Sequence, residues 1–231
     1  MANDKKAVLA VPSGRGEVRI ETMASAIRMV QAFVEIGVEV TFMSVCYAEP
    51  AMARNRITAS FLKTDADILM MLDDDVSLHP PLGPQFLGLN QPFIGVYLPQ
   101  RQINLETFAQ HVKAGKDPHA ARLAAAPLVG PTNDVYGGVL EVNQICAGFL
   151  MLRRSVFELI DAASLSAEMK LTLPGGAHQV PGYFNNITDP ETGAFLSEDY
   201  SFCRRYRAAG GKIIAYKGPG VTHYGAMAFQ S

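Results

Sequence analysis

Short apolar runs and amphipathic segments alternate along the first hundred residues of the chain. Four apolar runs are bounded by polar or turn-forming residues: 7–11, 38–45, 67–72 and 93–98. Two segments between them carry apolar residues at helical spacing: 21–35 and 52–63. Bounded runs of this length are typical of strands buried on both faces. The alternation therefore predicts an α/β fold, with a Rossmann-like, mainly parallel sheet flanked by helices.

The pattern changes after residue 100. Three further helical segments are expected: 105–126 with a break near 115–118, 155–163 and 197–209. Two strands are expected within 137–153, and a last strand at 212–216. The segment 173–192 is rich in Pro, Gly, Asn and aromatic residues, which is typical of a long functional loop. We expect one domain over residues 1–231.

Composition excludes some functional classes. The formal net charge of −2 offers no basic excess for nucleic acid. The three cysteines, Cys46, Cys146 and Cys203, are scattered in apolar stretches, so we expect reduced, buried thiols and neither a disulfide framework nor a zinc site. The start does not resemble a signal peptide, and no run approaches about 20 apolar residues. We therefore expect a cytoplasmic protein with no membrane span.

The sharpest chemical feature is a triplet of aspartates, Asp73, Asp74 and Asp75, directly after the apolar run 67–72. Parallel sheets bind ligands beyond the carboxyl ends of their strands, where the loop 12–16 is also expected. No basic residue lies beside the triplet in sequence, so the three carboxylates repel one another unless a cation neutralises them. Oxygen ligands of this kind select Mg²⁺ or Mn²⁺. The alternative interpretation is a solvated acidic loop.

Two further features could belong to the same site. Glu198 and Asp199 open a predicted helix, where carboxylates also interact favourably with the helix dipole. His223 follows the last predicted strand between Gly220 and Gly225, and a mobile segment there could bring it to a metal. The alternative for a lone histidine is a structural or exposed side chain.

The basic and aromatic candidates have equally plain alternatives. Arg54 stands at a predicted helix start, where backbone donors and a guanidinium attract phosphate, but it could instead pair with Glu49 or Asp65. Tyr183 and Phe184 could stack on a sugar face, or pack in the core.

These motifs, in this order, resemble glycosyltransferases of the GT-A fold, near glycosyltransferase family 2. The resemblance lies in the aspartate triplet, in AGFLMLRRSVF (147–157), in SEDYSFCRRYRAAGGKI (197–213) and in ARN (53–55). It runs from about Val8 to Gly225 and covers nearly the whole chain. It implies a single GT-A domain, with a nucleotide-binding half at about 1–100 and an acceptor-binding half at about 101–231.

The resemblance also implies roles for individual residues. Asp199 would be the catalytic base of an inverting reaction, with Glu198 beside it. The nucleotide-sugar donor would contact the first loop and two later segments: Pro12, Ser13, Gly14, Arg54, Asn55, Asp73 and Asp74. Asp73, Asp75 and His223 would bind Mn²⁺ or Mg²⁺. Gly148, Tyr183 and Phe184 would contact the acceptor, which could be a glycan, a lipid-linked sugar, a protein or a modified nucleic acid.

Some features depart from that family, and other functions stay open. The first loop reads PSGRGEVRIE and lacks the usual early aspartate, and the chain has no tryptophan, which argues against a polysaccharide synthase. A sugar nucleotidyltransferase shares the fold type and the need for metal, and GRG at 14–16 is a weak form of its first loop. A metal- or nucleotide-binding module without turnover is the alternative that is not an enzyme. A haloacid dehalogenase-type phosphatase is disfavoured, because its aspartates follow the first strand.

Overall fold

A seven-stranded mixed sheet forms the centre of the protein. The structure is a computed structural model that describes residues 6–128, 138–166, 168–173, 176–226 and 228–230. In spatial order the sheet consists of β2 (Glu39–Cys46), β1 (Lys6–Ser13), β3 (Ile68–Leu72), β7 (Phe149–Arg153), β5 (Phe93–Val96), β12 (Ile213–Tyr216) and β6 (Val139–Val142).

Five of these strands run in one direction, and β7 and β6 run in the other. The predicted α/β fold with a mainly parallel sheet is therefore confirmed. β3, with the sequence ILMML, is buried along its whole length between β1 and β7, as its apolar run predicted. Because β7 is antiparallel to β3, it begins where β3 ends, and Asp73 N donates to Gly148 O at 3.0 Å. The reversed strand thus brings a glycine from the second half beside the aspartate triplet.

Seven helices are assigned in the described ranges: α1 (Ile20–Glu35), α2 (Pro50–Leu62), α3 (Leu82–Gly88), α4 (Leu105–Lys113), α5 (Pro118–Ala124), α6 (Arg154–Ala162) and α7 (Glu198–Ala208). One hydrophobic cluster contains side chains of α2, α6 and α7 on one face of the sheet. A second contains side chains of α1 and α3 on the other face. None of these helices is long and apolar enough to cross a bilayer.

The buried face of α1 differs from the one its apolar positions suggest. Ile27 and Val34 are 53% and 58% exposed, whereas the polar residues Thr22 and Ser25 are buried. Ser25 can be buried because its hydroxyl satisfies the backbone of Leu78, donating to its carbonyl and accepting from its N–H, both at 2.9 Å. These two hydrogen bonds to a distant segment allow a polar side chain to lie on the buried face of the helix.

Short strands outside the central sheet were not predicted. β4 (Val76–Leu78) pairs with β13 (Val221–Tyr224), which also pairs with β14 (Ala228–Gln230). The strand at 212–216 is thus not the last one, and His223 lies in a paired strand, not on a mobile segment. The predicted loop 173–192 contains parts of two hairpins: β8 (Glu168–Leu173) with β9 (Gly176–Pro181), and β10 (Ile187–Thr188) with β11 (Phe195–Leu196). Positions 174 and 175 of that loop lie outside the described residues.

Arg205 on α7 fixes the segment that follows β9. Its side chain is buried and donates to three backbone carbonyls, those of Leu165 at 3.2 Å, Tyr183 at 3.0 Å and Asn185 at 2.7 Å. These contacts hold the turn at 182–185 against the helix. A cationic side chain in this place is therefore a structural element and not a solvated charge.

We predict that Arg205→Met lowers the free energy of unfolding by about 3 kcal/mol or more, because three carbonyls lose a charged donor and one hydrogen bond of this kind is typically worth about 1.5–3 kcal/mol. Arg207→Met is the matched control, since Arg207 is on the same helix but exposed. Urea unfolding followed by circular dichroism measures both variants. Equal stability of the two variants would contradict the structural role of Arg205.

Candidate active site

A cleft of about 290 Å³ opens at the carboxyl ends of β1 and β3. The end of β1, the residues after β3, the starts of α2 and α7, the turn before β7 and the middle of β13 all contribute to its wall. Its lining includes Pro12, Ser13, Gly14, Tyr47, Arg54, Asp73, Asp74, Asp75, Arg101, Cys146, Gly148, Glu198, Asp199 and His223. Segments far apart in sequence thus meet at the edge where a ligand site was expected.

Most of the site residues predicted from sequence line this one cleft. They are Pro12, Ser13, Gly14, Arg54, Asp73, Asp74, Asp75, Gly148, Glu198, Asp199 and His223. The hydroxyl of Ser13 is already used, since it donates to Glu17 O at 2.8 Å and closes the first loop. Gly148 has little space for a side chain, because a Cβ there would lie 1.9 Å from Cδ1 of Leu98. The roles of these residues stay predictions, but their convergence is a property of the fold.

Arg54 lies at the floor of the cleft between two carboxylates. Its side chain is 5% exposed, and its Nη2 donates to Asp73 Oδ1 at 2.7 Å, while its Nε lies 3.5 Å from Glu198 Oε1. The suggested pairing of Arg54 with Glu49 or Asp65 is therefore wrong: Glu49 caps α2 and Asp65 pairs with Lys6. Within the described part of the chain, Nε and Nη1 of Arg54 have no hydrogen-bond partner. A buried guanidinium with unused donors has capacity for an oxygen-rich ligand.

Burial acts on the carboxylates around Arg54. It raises the pKa of Asp73 above its usual range, and the charge and hydrogen bond of Arg54 oppose this shift. Burial also raises the pKa of Glu198. The charge of Arg54 opposes this rise, and the negative charge of Asp199 adds to it. Arg54 therefore limits the rise in the pKa of both acids.

Asp75 is held by two basic residues at the rim of the cleft. Arg101 Nη1 lies 2.6 Å from Asp75 Oδ2, and His223 Nε2 lies 3.5 Å from Asp75 Oδ1. His223 is oriented from its other nitrogen, since Nδ1 lies 2.9 Å from Pro99 O. Burial alone would raise the pKa of Asp75, but the hydrogen bond and charge of His223 and the charge of Arg101 lower it. No basic residue lies beside the triplet in sequence, but Arg54 and Arg101 reach it from other segments.

Asp199 lies at the first turn of α7, with its carboxylate at the cleft wall. Ser197 Oγ donates to Asp199 Oδ1, which also accepts from the N–H of Tyr200 at 2.8 Å. These two bonds fix the orientation of the side chain. A fixed carboxylate at a cleft wall has the geometry that a general base requires.

Asn55 does not line the cleft, so the structure does not bring it together with the other predicted donor contacts. The side chain is completely buried. Its Oδ1 accepts from Phe184 N at 2.8 Å, and its Nδ2 donates to Asn185 Oδ1 at 2.8 Å. Asn55 therefore ties α2 to the turn at 182–185, because a buried amide must satisfy its polar atoms inside the protein.

Tyr183 and Phe184 are core residues, which is the alternative that the sequence left open for them. Tyr183 is 1% exposed and Phe184 is fully buried. Phe184 stacks on Phe202 with ring centroids 4.2 Å apart, and the Tyr183 hydroxyl donates to Asp161 at 2.5 Å. The aromatic side chains stabilise the turn, and no ring face is left for a ligand.

The three predicted metal ligands differ in how firmly they are paired. Across the described ranges, no group of three or more His, Cys, Asp or Glu side chains could hold a metal ion. Asp73 fits less well as a ligand than Asp75, because its partner Arg54 is 5% exposed and fixed in place, whereas Arg101, the arginine paired with Asp75, is 53% exposed. Asp75 and His223 do fit, since they present an oxygen and a nitrogen to the same cleft, 3.5 Å apart. Mg²⁺ and similar ions are commonly bound by one or two protein ligands together with substrate phosphates.

Seven residues that line the cleft were not among the predicted site residues, and Arg101 and Tyr47 are the two of them with a charged or aromatic side chain. Arg101 follows β5 in an irregular segment and reaches Asp75 from 26 positions away. Tyr47 follows β2 and lines the cleft. The guanidinium carbon of Arg56 lies over its ring, 4.4 Å from the ring centre. Neither belongs to a motif. The position of Tyr47 at the carboxyl end of a predicted strand was the one signal available.

The cysteines differ from one another, and the expectation that all three are buried is wrong for Cys46. Cys46 is exposed on the edge strand β2, Cys203 is buried, and Cys146 lies partly buried in the cleft wall. Burial raises the pKa of both Cys146 and Cys203 to about 12. At pH 8, about one in 10⁴ of these thiols is therefore ionised.

We predict that iodoacetamide at pH 8 modifies Cys46 first and leaves Cys146 and Cys203 almost unmodified in the native protein, because the thiolate is the reactive form. Raising the pH from 8 to 10 increases the thiolate fraction of Cys146 about a hundredfold, so its modification accelerates with pH. Peptide mass spectrometry measures each site. Rapid modification of Cys146 at pH 8 would contradict the assigned environment.

Comparison with known proteins gives a likeness in fold. No protein-family profile matches the chain. No curated protein matches it either. The crystal structure of A197 from STIV has a TM-score of 0.50 and 17% identity, covering 95% of this chain and 85% of that one. At this identity the likeness shows a shared fold and nothing about function.

Two other solved structures are more distant. UDP-glucose pyrophosphorylase complexed with UDP-glucose has a TM-score of 0.45 and 10% identity, with 93% of this chain and 91% of that one covered. A glycosyltransferase involved in the glycosylation of the major capsid of PBCV-1 has a TM-score of 0.33 and 12% identity, with 66% and 62% covered. Similarities this low show nothing about the activity of this chain.

Proposed function

We propose that this chain is a glycosyltransferase that moves a sugar from a nucleoside-diphosphate sugar to an acceptor hydroxyl. It would bind the diphosphate of its donor through a divalent cation. The observation that carries the proposal is Arg54, a buried guanidinium with unused donors in a cleft lined by five carboxylates. The donors suit an oxygen-rich anion, and the carboxylates require a cation. A diphosphate bound through a metal ion satisfies both requirements at once.

Donor binding would use residues from both ends of the cleft. Arg54 would place its positive charge beneath the diphosphate, with Asp73 and Glu198 holding the guanidinium in place. The first loop, Pro12 to Gly14, would contact the nucleoside. Asp75 and His223 would hold Mn²⁺ or Mg²⁺, and Asp74, which lines the same wall, is a further donor contact. When bound, the cation would neutralise negative charge on the diphosphate.

Transfer needs a base for the acceptor hydroxyl, and Asp199 is our candidate. Its carboxylate would take the hydroxyl proton while the acceptor oxygen forms a bond to the anomeric carbon of the sugar. The bond from that carbon to the diphosphate oxygen breaks, and its electron pair leaves with the diphosphate. The bonds from Ser197 and Tyr200 to Asp199 would keep the carboxylate aimed during this step. Such a direct displacement inverts the anomeric configuration.

One observation favours a second candidate, a sugar nucleotidyltransferase. Arg15 and Arg19 on the first loop border a space of about 560 Å³ that shares Asp74 and Asp75 with the cleft. Basic residues on this loop would suit the triphosphate that such enzymes bind. The two reactions release different products, so they can be separated directly.

A product assay tests the proposed function. The protein is incubated either with a panel of nucleoside-diphosphate sugars or with nucleoside triphosphates and sugar phosphates, each with Mn²⁺ or with a chelator, and the products are separated by chromatography. Release of nucleoside diphosphate and free or transferred sugar in Mn²⁺ supports the glycosyltransferase. Release of pyrophosphate from a nucleoside triphosphate and a sugar phosphate supports the nucleotidyltransferase. Binding without any product indicates a binding module.

We predict that Asp199→Asn keeps donor affinity and lowers turnover by about 10² or more, because the amide cannot accept the proton. Asp117→Asn is a matched control, since Asp117 caps the start of α5 outside the cleft. Calorimetry measures donor affinity, and product release measures turnover. A fully active Asp199→Asn variant would refute its role as the base.

A further inference from the structure

Arg101 holds the one carboxylate of the triplet that also faces His223. Its Nη1 is 2.6 Å from Asp75 Oδ2, whereas His223 Nε2 is 3.5 Å from the other oxygen of the same carboxylate. Arg101 therefore provides positive charge at the place where the proposed function puts a divalent cation. The chain itself partly neutralises Asp75 before any ion binds.

The position of Arg101 allows it to leave this contact at low cost. Its side chain is 53% exposed, whereas that of Arg54 is 5% exposed. The solvation free energy of a half-exposed charge changes little when the side chain moves into water. Exposed ion pairs also contribute little free energy, so little is lost when this one breaks. Arg54, in contrast, would leave two carboxylates buried without a counter-charge.

The stem of Arg101 lies against a glycine that leaves room for it. A Cβ on Gly225 would lie 3.1–3.3 Å from Cβ, Cγ and Cδ of Arg101. The residue borders both the cleft and the neighbouring space at the first loop. Its guanidinium can therefore turn from Asp75 toward a group in either space without a change in the backbone.

A divalent cation and the Arg101 guanidinium compete for Asp75, because like charges that share one carboxylate repel each other. A diphosphate that arrives with the cation brings negative charge to the same rim. We infer that Arg101 is a substrate-binding residue that exchanges partners, pairing with Asp75 in the free protein and with the diphosphate once the cation occupies Asp75 and His223. This inference rests on the proposed function, since it assumes a diphosphate and a cation at this cleft.

The exchange predicts effects of opposite sign in one variant. Arg101→Gln should bind Mn²⁺ about threefold or more tightly than the wild type in the absence of phosphate, because a competing exposed ion pair is lost. At saturating Mg²⁺ the same variant should bind inorganic pyrophosphate about threefold or more weakly. Electron paramagnetic resonance of free Mn²⁺ and isothermal titration calorimetry measure the two affinities on the full chain.

Arg15→Gln is the control for net charge in the metal titration. Arg15 is exposed at the neighbouring space, and its removal changes the charge by the same amount. Opposite shifts in Arg101→Gln, with the Mn²⁺ shift larger than in Arg15→Gln, support the exchange. A shift in one affinity alone, or a Mn²⁺ affinity equal to that of Arg15→Gln, overturns it while the proposed function stands. A wild type that binds neither Mn²⁺ nor pyrophosphate overturns both.

Discussion

The ion pair between Arg54 and Asp73 joins the parts of the chain that form the cleft. Arg54 comes from the start of α2 and Asp73 from the end of β3, and the same guanidinium lies 3.5 Å from Glu198 at the start of α7. Removing one partner of such a buried pair is costly because it leaves the other charge without compensation. The contact therefore determines the positions of three elements relative to one another, and the other charged groups of the cleft are arranged around it.

The charges that surround this contact are unequal. Five carboxylates line the cleft, against two arginines and one histidine. One of the arginines, Arg101, is half exposed. Asp75 is paired with Arg101 and His223, whereas in the described part of the chain Asp74 and Asp199, on the same cleft wall, have no basic group within ion-pair distance. The deficit of acceptors lies at Arg54, whose Nη1 has no partner in the described part of the protein. One wall of the cleft thus favours a cation and its floor favours an anion, which is the pattern that a metal-bound diphosphate would complement.

The sequence was informative where local pattern and strand direction decide the outcome. Apolar runs identified the main strands, and parallel strands bring their carboxyl ends to one edge, so the Asp73 triplet and the first loop had to lie close together. Contacts between distant segments were not predictable in this way. Arg101 reaches Asp75 from an irregular segment, and Asn55 and Phe184 look like ligand-binding residues in sequence but satisfy each other in the core. A residue type alone does not reveal which side of a helix or turn faces the cleft.

The most direct test of the account is a crystal structure of the protein with Mn²⁺ and the nucleoside diphosphate that most raises its melting temperature. The account predicts an anomalous manganese peak within coordination distance of Asp75 and His223, and a diphosphate over the Arg54 guanidinium at the cleft floor. A nucleotide bound elsewhere, or a cleft without manganese in which Asp75 is still paired with Arg101, would contradict it.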